Sequence, residues 1–146
     1  MSLAENKKAF FEYEVLEKME AGLVLSGQEV KSTKLGQINL LGSYITFHHN
    51  RAYVLNMHIN KYKAAGPLPN YDPTQTREVL LHKKQIAYLQ EKSKEKGLTI
   101  MPLRVYTKGR LVKMEIAVAR GKKLYDKRES IKKRDIQREI SRAAKN

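Results

Sequence analysis

Histidines and carboxylates are the residues with which this chain could bind a metal ion or move a proton. The sequence has four histidines and no cysteine. His48 and His49 are neighbours on a predicted strand, so their rings should point to opposite faces and could not share a metal. Glu17 and Glu20 are three residues apart, a spacing that makes no acid–base pair on a strand or bend. We therefore predict no metal site, no cofactor and no catalytic centre, which means that the protein is not an enzyme.

The sequence motifs of common enzymes are incomplete. Gly121, Lys122 and Lys123 resemble the end of a phosphate-binding loop, but no glycine opens the motif and no Ser or Thr completes it. Ser26 and Ser43 lack the surroundings of a catalytic serine. A nuclease is the enzyme class left as an alternative, and turnover of labelled RNA with a divalent metal would identify it.

Positive charge is the strongest chemical signal, with 29 Lys+Arg against 15 Asp+Glu and a net charge of +14. Such an excess repels itself in a compact protein but favours a polyanion, which releases its counterions on binding. Nucleic acid, an anionic membrane and an acidic protein are three partners that fit. Lysines flank aromatic residues, which suits RNA because cations bind phosphates and aromatic rings accept unstacked bases. These clusters are residues 7–13, 61–63, 106–110 and 123–127.

A membrane partner is not expected. No apolar run approaches the roughly 20 residues that span a bilayer, and residues 1–9 lack the apolar core of a signal peptide. Vesicle binding without competition by RNA would show otherwise. The absence of cysteine fits a reducing compartment, and we expect a cytoplasmic location.

The charge is concentrated at the C-terminus. Residues 120–146 contain 11 Lys/Arg and four acidic residues, a net +7. We therefore place a boundary near Gly121, with a first domain of residues 1–120 and a tail of residues 121–146.

The tail has little apolar surface with which to pack against a core. From residue 126 onwards its large apolar residues are only Ile131, Ile136 and Ile140. Glu129 and Lys133 have the i, i+4 spacing that supports a helix. We predict a tail that is disordered when free and helical when docked in an RNA groove, with a merely solvated tail as the alternative.

Alternating apolar residues predict strands before the boundary, because successive side chains of a strand point to opposite faces. Four runs have this period: residues 11–16, 44–48, 52–59 and 112–119. His49, Asn50 and Arg51 form a short hairpin connection in which Asn tolerates left-handed backbone. A fifth run covers residues 98–106, where Pro102 lacks an amide donor and should lie at an edge or a break.

Two helices should interrupt the strands. Ser26 and Glu29 have the spacing of a capping box, and Gly36 can end the helix that they begin. A second helix should run from about residue 82 to residue 96, before Gly97. Five or six short strands with inserted helices predict a mainly β protein, built on a partly open antiparallel β-barrel of the OB-fold type and followed by the basic tail.

Five blocks of sequence point to a known family. They are Asn6-Lys7-Lys8-Ala9 with Tyr13; residues 20–32; Asp72-Pro73 with Arg77 and Leu80-Leu81-His82-Lys83; Gly97-Leu98-Thr99 with Pro102-Leu103; and residues 119–123 with Asp126-Lys127-Arg128. They resemble the SsrA-binding protein family, also called small protein B. The blocks cover nearly the whole chain in order, and the second block is long and specific.

This resemblance implies an RNA-binding protein with an OB-type barrel and a basic tail. Such a protein binds the tRNA-like domain of transfer-messenger RNA (tmRNA) and delivers it to stalled ribosomes for trans-translation, which rescues the ribosome and tags the incomplete peptide. The barrel would replace the missing anticodon arm. The tail would enter the empty messenger channel near the decoding centre and become helical. The implied partners are tmRNA and the ribosome, with elongation factor Tu and alanyl-tRNA synthetase reached through the RNA, and we expect a monomer.

The resemblance also implies two sets of site residues. The RNA-binding set is Asn6, Lys7, Glu20, Lys31, Lys34, Arg77, Leu80, Leu81, His82 and Lys83. The ribosome-binding set in the tail is Gly121, Lys122, Lys123, Tyr125, Asp126, Lys127, Arg128, Lys132, Lys133 and Arg134. Tyr125 stands where some relatives carry His, and its ring suits stacking on a ribosomal base.

Glu20 is an unexpected residue on an RNA-binding face. It should accept hydrogen bonds from a base or orient a neighbouring cation, and its structural alternative is a contact with the first helix. Two positions depart from the family pattern: Glu78 replaces a common basic residue, and Thr33-Lys34 replaces Leu-Arg, which loses the bidentate fork of arginine. A generic OB-type RNA-binding protein is the alternative reading, and separate functions for domain and tail would distinguish the two.

Overall fold

Nine strands, three α-helices and a short 3-10 helix make up residues 2–122, the part of the chain that the computed structural model describes. The strands are β1 (Ser2–Glu5), β2 (Tyr13–Leu23), β3 (Ile38–Asn39), β4 (Tyr44–His48), β5 (Arg51–Leu55), β6 (His58–Ile59), β7 (Arg77–Leu80), β8 (Leu98–Lys108) and β9 (Leu111–Gly121). The helices are α1 (Lys7–Glu12), α2 (Gly27–Lys34) and α3 (Lys83–Ser93), and the 3-10 helix spans Lys63–Ala65.

Seven strands form one antiparallel sheet in the order β1-β8-β9-β2-β7-β5-β4, and β3 pairs with β6 in a small second sheet. The large sheet curls until its edge strand β4 contacts β8, with no ladder of hydrogen bonds between these two strands. The predicted mainly β class, a partly open antiparallel barrel with inserted helices, is therefore confirmed. The number of strands was underestimated, because β1, β3, β6 and β7 are too short to show a period.

The main core lies inside the curl. Strand β9 contributes Val112, Met114, Ile116 and Val118, the residues that the alternation predicts. A smaller apolar cluster lies on the outer face of the same strands, where Ala9 of α1 covers it. Helix α1 thus shields one part of the outer sheet face from solvent.

A bulge in β8 changes which side chains face the core. The register of β8 against β9 shifts between Pro102 and Arg104. Met101 before the shift and Leu103 within it belong to the outer cluster, whereas Val105 after it belongs to the main core. Strand β8 continues through Pro102 to Lys108, so the strand is not broken there. Strand β1 pairs with β8 only from Arg104 onwards, so Pro102 lies where one side of β8 is an edge, the other position that the missing amide donor allows.

A matching bulge in β2 lies between Val15 and Glu17. Val15 packs against the outer cluster under α1, and Ala21 beyond the shift is part of the main core. The bulges in β2 and β8 reverse which side chains of each strand face the main core. The remainder of the outer face can therefore carry polar side chains such as Glu20.

The predicted strand at residues 52–59 is broken at Asn56, whose φ of 61° ends β5. Buried residues therefore change from Ala52 and Val54 to Met57 and Ile59. The prediction of one continuous strand over residues 52–59 was wrong, because the period of two does not continue through a left-handed residue.

The β4–β5 hairpin turns on two residues, His49 and Asn50, with φ of 50° and 60°. Two left-handed residues are the signature of a type I′ turn, so Arg51 belongs to β5 rather than to the connection. The predicted opposition of His48 and His49 was wrong. His49 lies in the turn, and the two ring centroids are only 4.0 Å apart.

The N-terminal segment forms a helix where a strand was predicted. Asn6 caps α1, with its side-chain oxygen 3.3 Å from the Ala9 amide nitrogen. Phe11 therefore belongs to α1, and strand β2 begins at Tyr13. The apolar alternation of residues 11–16 gave no sign of so short a helix.

Helix α2 agrees with the sequence prediction, and helix α3 forms where it was predicted but is shorter. The Ser26–Glu29 capping box is present, with the Ser26 amide 3.1 Å from Glu29 Oε1. Gly36, the predicted stop of α2, has a φ of 78°. Helix α3 ends at Ser93, before the predicted end near residue 96, so Gly97, with a φ of 84°, lies in the connection to β8 rather than at the helix end. Within residues 2–122, no helix reaches the length and apolar character of a membrane span, and no group of three or more potential metal ligands occurs there.

Candidate nucleic-acid interface

The open part of the outer sheet face is built from a row of residues that crosses four strands. Strand register places Tyr106 of β8 opposite Lys113 of β9. Lys113 lies opposite Gly22 of β2, and Gly22 lies opposite Leu80 of β7. Paired residues of antiparallel strands share a face, and Glu20 joins them because it is two residues from Gly22. Lys108 is likewise two residues from Tyr106 on β8, and we call this surface the outer row.

Glu20 is held on the outer row by two partners from β8. The Tyr106 hydroxyl donates a short hydrogen bond to Glu20 Oε2, and Lys108 Nζ lies 3.4 Å from Oε1. The Tyr106 hydrogen bond and then the Lys108 charge lower the pKa of Glu20, so the side chain is an anion at neutral pH. Burial and the bond to Glu20 raise the pKa of Tyr106 to about 12. Glu20 thus lies beside a cation, and its partners are on a strand rather than on a helix.

A cavity of about 440 Å³ lies beside Glu20. Its lining residues are Glu20, Gly22, Leu80, Leu81, His82, Gln85 and Lys113. The structure therefore brings together four residues of the predicted RNA-binding set. Leu80 is 53% exposed, which leaves an apolar surface open to a partner. Gly22 lets Leu80 lie close to β2, because a Cβ on residue 22 would be 3.1 Å from Leu80 Cβ and Leu80 would have to shift by a few tenths of an ångström.

The N-terminus of α3 forms one edge of this cavity. His82 is its N-cap residue, and the His82 amide donates to Gln85 Oε1 at 3.0 Å. Lys83 follows as the first helical residue and is exposed. The free amides and positive dipole end of a helix N-terminus favour negatively charged groups, and Lys83 adds a positive charge at the same edge.

Lys31 and Lys34 lie on α2, beside a different groove. Lys31 Nζ is 5.6 Å from the centroid of the Tyr62 ring, a cation–π distance. The groove of about 360 Å³ is lined by Ser32, Leu35, Gln37, Asn60, Lys61, Tyr62, Lys63 and Ala64. It shares no lining residue with the Glu20 cavity. The structure thus divides the predicted RNA-binding residues between two surfaces.

Asn6 and Arg77 are buried, with 5% and 4% of their surface exposed. Arg77 Nε donates to Glu29 Oε2 at 2.6 Å, and Asn6 Nδ2 donates to the Pro102 carbonyl at 3.2 Å. The polar groups of both side chains are engaged inside the protein. The sequence predicted direct RNA contacts for both residues, and their burial does not support those contacts. We propose instead that both side chains stabilise the fold.

Comparison with known proteins gives the family. The SmpB protein family matches residues 3–146. The chain belongs to the SmpB family. The family resemblance predicted from five sequence blocks is thereby confirmed.

Relatives match this SmpB chain over nearly its full length. The SsrA-binding protein of Sulfurihydrogenibium sp. (strain YO3AOP1) is 50% identical over 143 residues, which cover 98% of this chain and 93% of the relative. The SsrA-binding protein of Oleidesulfovibrio alaskensis is 49% identical over 140 residues, which cover 96% and 90%. A solved structure described as "tmRNA-SmpB: a journey to the center of the bacterial ribosome" has a TM-score of 0.69 and 40% identity, covering 82% of this chain and 84% of that chain.

Two members of the predicted tail set belong to the folded part of this SmpB chain. Gly121 ends β9 opposite Tyr13, and the Lys122 amide donates to the Glu12 carbonyl at 3.0 Å. The predicted boundary at residue 121 thus falls at the end of a strand. The other tail residues lie outside the described residues: Lys123, Tyr125, Asp126, Lys127, Arg128, Lys132, Lys133 and Arg134. Lys7 is exposed at the start of α1.

Three residues of the outer row were not in the predicted SmpB site. Tyr106 and Lys108 appeared in the sequence only as members of a basic and aromatic cluster, and Lys113 only as a polar residue of a strand. The signal that could have found them is the alternation itself, since polar residues that alternate with a buried row share the opposite face. Joining them to Glu20 needs the strand order, which the alternation does not contain.

Proposed function

We propose that this protein binds the tRNA-like domain of tmRNA and delivers it to stalled ribosomes for trans-translation. The observation that carries the proposal is the cavity beside Glu20, which gathers Leu80, Leu81 and His82 in a chain of the SmpB family. The solved relative is described together with tmRNA and the ribosome. The proposed partners of this chain are therefore tmRNA and the ribosome.

The outer row and the adjoining Lys83 of α3 offer chemistry suited to a folded RNA. Lys83, Lys108 and Lys113 supply positive charge for phosphates, while the exposed Leu80 supplies apolar surface for an unstacked base or a ribose. Glu20 adds an acceptor that phosphates would avoid. Neighbouring groups of one surface would thus contact both the bases and the phosphate backbone of the RNA.

The groove beside α2 is proposed as a second contact surface. Lys31 and Lys34 present two charges on one helix, and Lys61 and Lys63 lie in the groove lining. These four lysines would bind phosphates of the same RNA or of the ribosome. Lys7 would add a charge from α1.

The tail is proposed to occupy the messenger channel of a stalled ribosome, near the decoding centre. Residues 123–146 carry nine Lys/Arg and four Asp/Glu, a net +5, which suits a channel lined by RNA phosphates. We propose that the protein acts in the cytoplasm by binding alone, without making or breaking a covalent bond. Elongation factor Tu and alanyl-tRNA synthetase would be reached through the bound RNA.

Replacement of one exposed leucine tests the outer row. Leu80→Ala should weaken binding of the tRNA-like domain about tenfold, because an apolar contact worth about 1.4 kcal/mol is lost. The matched control is Leu111→Ala, since Leu111 is also exposed and lies outside the cavity. Fluorescence anisotropy with the labelled RNA at fixed salt measures both. Equal effects of the two substitutions would contradict the proposed surface.

Deletion of residues 123–146 tests the separate role of the tail. The truncated protein should bind the tRNA-like domain nearly as well as the full chain but should fail to tag peptides on stalled ribosomes in a reconstituted translation system. Loss of RNA affinity on truncation would contradict this division. Cleavage of the labelled RNA by the pure protein with a divalent metal would contradict the proposal that it acts by binding alone.

A further inference from the structure

Glu20 is a carboxylate on a surface to which the proposed function assigns RNA. A carboxylate repels phosphates, so it is suited to the hydrogen-bond donors of a base edge rather than to the backbone. Its side chain is 40% exposed, and it borders the cavity formed with Leu80 and His82. The base that fits this cavity can be deduced from the acceptors that Glu20 has left.

An ionised carboxylate has two oxygens with about four lone-pair sites. Tyr106 takes a site on Oε2, and Lys108 takes a site on Oε1. Each oxygen can therefore accept one further hydrogen bond. The side chain therefore presents a pair of acceptors whose orientation is fixed by a hydroxyl on one oxygen and an ammonium group on the other.

We propose that the Glu20 cavity holds one unstacked guanine of the bound RNA, whose N1–H and N2–H groups donate to the two oxygens of Glu20. This assignment rests on the proposed function and names the base recognised at that site. Guanine alone has two adjacent donors on its Watson–Crick edge. Adenine and cytosine place a donor beside an acceptor, and uracil has one donor between two acceptors. An acceptor facing the Glu20 anion would be repelled, so these bases would bind more weakly.

The rest of the cavity suits a purine ring. Leu80 and Leu81 supply apolar surface, and His82 supplies an aromatic ring for stacking. Lys113 on the opposite side is a cation for the phosphate of the same nucleotide. A volume of about 440 Å³ falls in the range of small-ligand sites, about 300–1,000 Å³.

Tyr106 is the positioning residue of this site. It does not line the cavity, and its hydroxyl acts only through Glu20. Glu17 and Tyr88 form the same kind of pair elsewhere on the surface, with Tyr88 Oη 2.6 Å from Glu17 Oε1. Because neither Glu17 nor Tyr88 lines the cavity, this second pair supplies matched controls.

The experiment uses five-nucleotide single-stranded RNAs with uridine flanks and a central guanine, inosine, adenine, cytosine or uracil. Their affinities for the full chain are measured by fluorescence anisotropy competition at one salt concentration. The guanine probe should bind most tightly. Inosine lacks only the N2 amino group and should bind about tenfold more weakly, the effect of losing one hydrogen bond to a charged acceptor.

Two pairs of variants then test whether Glu20 and Tyr106 cause the preference for guanine. Glu20→Gln should abolish the preference for guanine over adenine, because its amide offers one donor and one acceptor, whereas Glu17→Gln should leave the preference intact. Tyr106→Phe should reduce the ratio of guanine to inosine affinity several-fold at an unchanged melting temperature, and Tyr88→Phe should not. A purely structural role for Tyr106 would lower the melting temperature without changing that ratio.

Equal affinities for all five probes would overturn the guanine assignment, and so would absence of binding to any probe by a protein that binds the tRNA-like domain. A guanine preference that survives Glu20→Gln would also overturn it. Guanine preference without affinity for the tRNA-like domain would overturn the proposed function and leave the base assignment standing.

Discussion

At Thr33, burial and hydrogen bonding conflict. The side chain is 0% exposed, and among residues 2–122 its hydroxyl is a buried side-chain oxygen without a hydrogen-bond partner. A buried polar group without a partner costs about 1–3 kcal/mol. The sequence had marked this position as a departure from the leucine of the family pattern, and the structure shows that the hydroxyl gains no partner there.

Thr33→Val should raise the free energy of unfolding by about 1 kcal/mol, because it removes the unpaired hydroxyl and keeps the shape of the side chain. Thr33→Ser is the control, since it keeps the hydroxyl and removes the methyl group, and it should destabilise the protein. Urea denaturation followed by circular dichroism measures both changes. A valine variant less stable than the parent would show that the hydroxyl has a partner.

Residue roles could be predicted only in part from the sequence. Glu20, Leu80, Leu81 and His82 were assigned through the family motif, and the structure gathers them at one cavity. Arg77 came from the same motif, yet its guanidinium is paired with Glu29, which is 48 positions away. A motif gives no sign of such a distant partner, so the sequence cannot separate a buried basic residue from an exposed one.

At the scale of elements, the Glu29–Arg77 pair joins helix α2 to strand β7. Arg77 Nη1 also donates to the Met57 carbonyl at 2.6 Å, so the same side chain holds the segment after β5. Burial alone would raise the pKa of Glu29, but hydrogen bonds from the Ser26 backbone and from Arg77 outweigh it and lower that pKa. Glu29 therefore combines the capping box of α2 with the buried ion pair.

Arg77→Met should lower the free energy of unfolding by about 3–5 kcal/mol, because it leaves a buried carboxylate without its partner. Arg51→Met is the control: the Arg51–Glu78 pair is exposed, with 3.9 Å between charged atoms, and should contribute about 0–1 kcal/mol. Thermal and urea unfolding measure both. Adding Glu29→Gln to Arg77→Met should recover part of the lost free energy of unfolding, because it removes the unpaired buried charge. A further loss of stability would show that this charge is not the cause.

Element prediction succeeded where a local physical rule acts alone. The capping box of α2, the glycine stop of α2 and the inward residues of β9 follow from spacing within a few residues. The bulges of β2 and β8 and the kink at Asn56 could not be predicted in this way, because they reverse the alternation within a single apolar run. Helix α1 was missed for a related reason, since its six residues are too few to show a helical period.

At the scale of the whole molecule, positive charge is divided between the folded part and the tail. The sequence predicts that division, because it can be counted directly, and the sequence also predicts the family. It does not predict that RNA-binding residues separate into the outer row and the groove beside α2. That separation depends on how the curled sheet places α2 and α3, which is set by contacts between residues far apart in the chain.

The two parts should differ in how salt affects their binding. Binding of the tRNA-like domain by the full chain and by the chain without residues 123–146 should give the same slope of log affinity against log salt, since we assign that RNA to the folded part. Binding to stalled ribosomes should become less salt-dependent on truncation, by roughly 4 units of slope if the tail neutralises about five phosphates. Filter binding from 50 to 300 mM salt would measure these slopes. The control for length is a full chain in which the nine Lys/Arg of residues 123–146 are replaced by Gln. A change of slope for the tRNA-like domain would mean that the tail contacts that RNA, and an unchanged slope for ribosomes would mean that the tail charge binds no phosphates there.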